Sequence, residues 1–73
     1  MPRLPVLSGR EIIKLLETLG FAQSRQRGSH VSLRRGSKVC VVPLHREVAV
    51  GTLSGILRQA GVSSEEFVEA LSR

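Results

Sequence analysis

Aromatic side chains are nearly missing from this 73-residue chain, which has two phenylalanines and neither tryptophan nor tyrosine. A surface on which bases stack needs exposed aromatics, whereas Phe21 and Phe67 both fall where a small core would use them. A single cysteine allows no disulfide within the chain, which suits a reducing compartment. That residue, Cys40, lies in the apolar run Val39-Cys40-Val41-Val42 and reads as a small buried hydrophobe rather than a nucleophile. No stretch approaches the ~20 apolar residues of a membrane span. The start, Met1-Pro2-Arg3-Leu4-Pro5, lacks the apolar region of a signal peptide, so the expected location is the cytoplasm. His, Cys and acidic residues are scattered, with no H-x-x-x-H, C-x-x-C or paired carboxylates, so no metal site is expected. A G-x-S-x-G elbow is missing, and with it a serine nucleophile. No Gly-rich loop leads from a strand into a helix, so no nucleotide cofactor is expected either.

Negative charge is also scarce. Eleven Lys and Arg stand against six acidic residues, giving a net charge of +5 and a pI near 11.2. Such an excess implies a polyanionic partner, of which nucleic acid is the commonest. The length suits one domain spanning 1–73, and a chain this short buries only about 60% of its unfolded surface.

Residues 1–7 carry two prolines and no periodicity, and read as an extended lead-in. Ser8-Gly9-Arg10-Glu11 is a Ser-x-x-Glu capping box that opens a helix. Ile12, Ile13, Leu16 and Leu19 follow at helical spacing, with Leu15 widening the stripe. Gly20 caps the end, and Phe21 can fold back on the last turn. Two Gly-Ser pairs, Gly28-Ser29 and Gly36-Ser37, then separate three strand-like runs, the signal for successive two-residue hairpins. Pro43 ends the third run. Leu44 to Val50 reads as a loop. Leu53, Ile56, Leu57 and Ala60 mark a second helix closed by Gly61, and Ser63-Ser64-Glu65-Glu66 opens a short third with Phe67, Val68 and Leu71 available for packing. The expected class is therefore α+β, α-β-β-β-α, a three-stranded antiparallel sheet with helices on one face and a short extra C-terminal helix. Glu65, Glu66 and Glu69 make the C-terminal end acidic, which argues against its touching phosphate.

Strand alternation assigns the faces. With Gly28-Ser29 as the turn, Arg27 faces His30, Arg25 faces Ser32 and Gln23 faces Arg34, which collects three arginines and a histidine on one side. Val31 and Leu33, opposite Gln26 and Ser24, form the packing side. The second hairpin adds Cys40 and Val42 to it and leaves Val39 and Val41 on the basic face. Metal-free RNA cleavage is the chemistry such a face could perform. RNA carries its own nucleophile, the 2′-OH, and a catalyst need only move two protons and neutralise the phosphorane. Imidazole suits proton transfer near neutral pH, and guanidinium pairs with two phosphate oxygens. His30 could equally be a solvated strand histidine, His45 lies in a loop of unknown reach, and the arginines could be a solvated face. On side-chain chemistry alone the reading is a basic domain that binds nucleic acid.

Beyond that, the chain resembles the HicA family of toxin ribonucleases from HicA–HicB toxin–antitoxin pairs. The likeness runs from about Leu4 to Leu71. It is carried by Ser8-Gly9-Arg10-Glu11, Leu19-Gly20-Phe21 and Arg25-Gln26-Arg27-Gly28-Ser29-His30. It continues through Val42-Pro43-Leu44-His45, Gly51-Thr52-Leu53 and Gly55-Ile56-Leu57-Arg58-Gln59-Ala60-Gly61. The resemblance implies a fold like the double-stranded-RNA-binding domain and metal-independent endonucleolytic cleavage of mRNA. It implies His30 as the catalytic residue, with His45 and Ser29 as candidate auxiliaries. Arg25, Arg27, Arg34 and Lys38 are then the candidates for binding RNA phosphates. A HicB-like antitoxin is the implied protein partner, and neither a membrane nor DNA by itself is expected as a target. Two other classes fit the same charge pattern, a non-catalytic module that reads duplex RNA by shape and a small basic protein-interaction domain.

Overall fold

The computed structural model describes residues 3–73. Its elements run α1 (Gly9–Thr18), β1 (Ala22–Arg27), β2 (His30–Arg35), β3 (Lys38–Pro43), α2 (Val50–Ala60) and α3 (Ser64–Leu71). The expected α+β order is the observed one, and the three strands form one antiparallel sheet in the order β1-β2-β3.

Helix α1 starts where its cap dictates. The Ser8 hydroxyl accepts from the Glu11 N–H at 3.1 Å, and the Glu11 carboxylate accepts from the Ser8 N–H at 2.9 Å. Two of the helix's orphan donors are thereby satisfied. Ser8, through its backbone N–H first and its hydroxyl second, holds the Glu11 carboxyl below its usual pKa. The helix ends through Leu19 and Gly20, whose φ of 97° suits glycine. Phe21 then turns back into the core, and the Arg35 guanidinium lies 4.6 Å over its ring while donating to the Leu19 carbonyl at 2.8 Å.

The sheet has one buried side. Val31, Leu33, Cys40 and Val42 point into a core shared with Ile12, Ile13 and Leu16 of α1. Leu53, Ile56 and Leu57 of α2 and Phe67 of α3 complete it. Burial raises the Cys40 thiol pKa, as befits a packing residue. The second hairpin follows its expected register, with Leu33 opposite Cys40 and Val31 opposite Val42. The two turn glycines have φ of 56° and 60°, the left-handed region that a two-residue hairpin demands.

Four expectations change. In the first hairpin Arg27 pairs with His30 and Arg25 with Ser32 as anticipated, but a bulge at Ser24 shifts the remainder. Gln23 therefore pairs with Leu33 and Ala22 with Arg34, so Gln23 leaves the basic face for the helix side. The lead-in is also more than a lead-in, apart from Met1 and Pro2, which lie outside the described residues. Leu7 is buried and forms an antiparallel bridge with Val48, whose N–H donates to the Leu7 carbonyl at 2.8 Å. Val48, read as loop, is a core residue 1% exposed. At the C-terminal end Ser63 accepts from the Glu66 N–H at 3.0 Å and Phe67 is fully buried, whereas Leu71 remains 39% exposed.

Candidate nucleic-acid interface and cleavage site

The face of the sheet opposite the helices is uncovered. Two-residue alternation from the turn outward puts Arg27 with His30, Arg25 with Ser32 and Val41, and Arg34 with Val39 on that face. All six residues of β1 are exposed, as are His30 and Arg34, and Val39 and Val41 are 39% and 40% exposed. No acidic residue occurs between Glu17 and Glu47, so the whole sheet is free of negative side chains. Among the described residues the one ion pair is Arg73 with Glu69, remote in sequence from the sheet. Arg25 and Arg27 thus have no carboxylate to compete with a phosphate.

Spacing along the strands ranks these cations. Arg27 sits directly across from His30, where paired residues lie roughly 5 Å apart. Arg25 is one alternation further, about 7 Å along the strand, and Arg34 is four residues from His30, about 13 Å. One phosphate at His30 can therefore touch Arg27, while Arg25 and Arg34 are spaced to meet neighbouring phosphates. Lys38 is different. It pairs with Arg35, on the helix side, and stands five residues from Pro43, the partner of His30. That is about 17 Å along β3, and the Lys38 stem runs beside Gly61. The fold does not bring it together with His30.

Backbone contacts, invisible in the spacing of residue types, fix His45. The Leu44 N–H donates to the Ser29 carbonyl at 2.6 Å, which carries the β2–β3 ladder one step beyond Pro43. The next residue, His45, accepts from the Gly9 N–H at 2.9 Å at the start of α1. His45 is thus anchored two residues past the position opposite His30, a step of roughly 7 Å. His30, His45 and Ser29 thus share one end of the sheet, and both histidines are exposed.

Gly9 is the residue that sequence reasoning missed. It is buried, and a β-carbon there would overlap the Pro43 carbonyl oxygen and lie 2.9 Å from its carbon and 3.0 Å from the Leu44 Cα. The helix start can approach the Pro43–His45 segment only because no side chain intervenes. Nothing local to Gly9 signals this, since its neighbour in space is more than thirty residues away.

No group of three or more His, Cys, Asp or Glu among the described residues could hold a metal ion. No described helix is long and apolar enough to cross a membrane. A comparison with curated proteins returned no match. A family profile described as HicA toxin of bacterial toxin-antitoxin matches residues 9–62, from the start of α1 to the residue after the α2 cap.

Proposed function

The chain belongs to the HicA family of bacterial toxin–antitoxin toxins, and from that membership we propose that it is a metal-independent endoribonuclease that cleaves mRNA. The observation that carries the reading is the pairing of His30 with Arg27 on an open sheet face with no acidic residue. In the reaction, the 2′-oxygen bonds to the adjacent phosphorus as the bond to the 5′-oxygen breaks. The 2′-OH proton passes to a base, and the departing 5′-oxygen receives a proton from an acid. The products are a 2′,3′-cyclic phosphate and a 5′-hydroxyl. His30 performs one of these transfers, and His45, anchored at the same end of the sheet, is the candidate for the other. Arg27 pairs through its guanidinium with the non-bridging oxygens on which charge accumulates, and the Ser29 hydroxyl can donate to the same group. Arg25 and Arg34 hold flanking phosphates, with Lys38 at most a distant contact. Confinement to the cytoplasm, where mRNA is met, belongs to the same proposal.

The test is cleavage by the purified chain of an RNA and of the DNA of identical sequence, in excess EDTA. RNA should be cut to cyclic-phosphate ends and DNA left intact. His30→Ala should lose about 10²–10⁴-fold in rate while still binding RNA through the arginines. Wild-type rate in that variant, DNA cleavage, or an activity abolished by EDTA overturns the reading. Binding without any cleavage would instead identify a shape-reading module.

A further inference from the structure

On the other side of the β1–β2 hairpin lies a cleft that the cleavage chemistry does not use. It encloses about 430 Å³ between α1 and the first two strands, within the ~300–1,000 Å³ of small-molecule sites. Its floor is apolar, formed by Ile13, Val31 and Leu44. Its rim is polar and of mixed character, with the amides of Gln23 and Gln26, the Glu17 carboxylate, and the cations Arg10 and Lys14. The bulge at Ser24 builds this rim, because it turns Gln23 toward α1. There the Gln23 amide nitrogen donates to Glu17 at 3.4 Å, and the Gln26 amide nitrogen donates to the Gly28 carbonyl at 3.0 Å. One hydrogen of each amide is engaged in this way, and each carbonyl oxygen remains an acceptor on the same rim as the Glu17 carboxylate.

We infer that this cleft is a nucleobase subsite of the RNA substrate, selective for bases that carry an exocyclic amino group. The inference rests on the ribonuclease reading for the identity of the occupant. Three observations favour a base. A carboxylate on the rim repels a phosphate but accepts an amino N–H. The acceptors stand over an apolar floor on which a flat ring can lie. Arg10 and Lys14 supply the charge that attracts the adjoining backbone. The cleft lies behind the cleavage site, on the opposite face of the same two strands. Gln26 and Val31 are the chain neighbours of Arg27 and His30, and Leu44 precedes His45. Because β1 is the sheet edge, a strand with its phosphate at His30 can turn around β1. The two faces are separated by about 10 Å, the depth of one sheet with its side chains. Adenine, cytosine and guanine offer an exocyclic amine, whereas uracil does not.

The experiment is cleavage of a randomised RNA pool by the full chain, with sequencing of the ends. The parallel arm measures binding of A-, C- and U-tract oligonucleotides to the His30→Ala protein by fluorescence anisotropy. Wild type should disfavour uracil at one position near the scissile bond by about tenfold, the scale of one base-edge contact. Oligo(U) should bind correspondingly more weakly than the A and C tracts. Glu17→Ala and Gln26→Ala, both exposed and so expected to fold by circular dichroism, should flatten the preference to about twofold or less. Equal use of all four bases by wild type overturns the subsite, as does a preference that survives both substitutions. If the substitutions weaken antitoxin binding and leave base preference intact, the cleft is a protein contact and the inference is again wrong. Failure of the chain to cleave any RNA, with the tract preference present and lost in the variants, would sink the nuclease reading and leave the subsite standing.

Discussion

Substituting Gly9 tests whether the fold assembles the two histidines as described. An alanine β-carbon at Gly9 would overlap the Pro43 carbonyl oxygen, with two further backbone atoms at 2.9 and 3.0 Å. Carbon atoms in favourable contact sit about 3.5–4.0 Å apart, and clearing the overlapped oxygen as well requires one backbone segment to move by more than about 1 Å. The atoms in the way belong to main chain and cannot swing aside as a side-chain tip would. Overpacking of this kind costs about 1–3 kcal/mol. For a domain of this size each kcal/mol shifts Tm by roughly 4–8 °C, so a fall of at least several degrees is expected. Movement of the Pro43–His45 segment also strains the Gly9 N–H to His45 bond and the Leu44 N–H to Ser29 bond, both close to His30. A displacement near 1 Å can cost about 10²-fold in rate, so cleavage measured well below Tm should drop even in the folded variant. Gly55→Ala is the control. It lies inside α2 with no atom within 4 Å of the added carbon, and should raise stability by about 0.5–1 kcal/mol. Thermal melts and single-turnover cleavage of both variants decide the matter. A Gly9→Ala protein with the wild-type Tm and rate would refute the close approach and the anchoring of His45 built on it.

Arg25→Ala and Arg27→Ala should each weaken RNA binding and reduce the slope of log K against log salt by about 0.7–1, and Arg27→Ala should cost more in cleavage rate because it faces His30. Unchanged slopes in both would remove these residues from the interface. Glu11→Ala should lower Tm, and the gap from wild type should be pH-dependent. Ser8 lowers the folded-state pKa of Glu11, so the carboxylate's contribution is fully present above the unfolded glutamate value and is lost as pH falls through the folded one. A gap that stays constant into acid would show that the Glu11 charge takes no part. A HicB-like antitoxin should inhibit by covering the basic face, with acidic groups at the arginines and an apolar contact at Val39 and Val41. Titration should end activity near one equivalent and protect residues 25–34 from hydrogen exchange. Protection confined to α3 would rule out occlusion.

Much of the architecture is legible one residue at a time, because its signals are local. The capping box at Ser8 and Glu11 binds atoms three residues apart, and the Gly-Ser turns need only a glycine able to take positive φ. Alternation then carries the register outward from each turn, correctly for Arg27 with His30 and for Leu33 with Cys40. It failed at Gln23 for an intelligible reason. β1 reads Ala-Gln-Ser-Arg-Gln-Arg and is exposed along its whole length, so no buried face penalises an extra residue or pins the register past the bulge. The position of His45, the burial of Val48 against Leu7 and the fit of Gly9 under Pro43 depend on main-chain contacts between segments more than thirty residues apart. Every peptide carries the same N–H and C=O, so which distant pair meets is decided only once the helices have packed on the sheet. The catalytic candidate His30 was visible in its local segment. That a second histidine shares its end of the sheet, and that Lys38 does not, belongs to the tertiary structure.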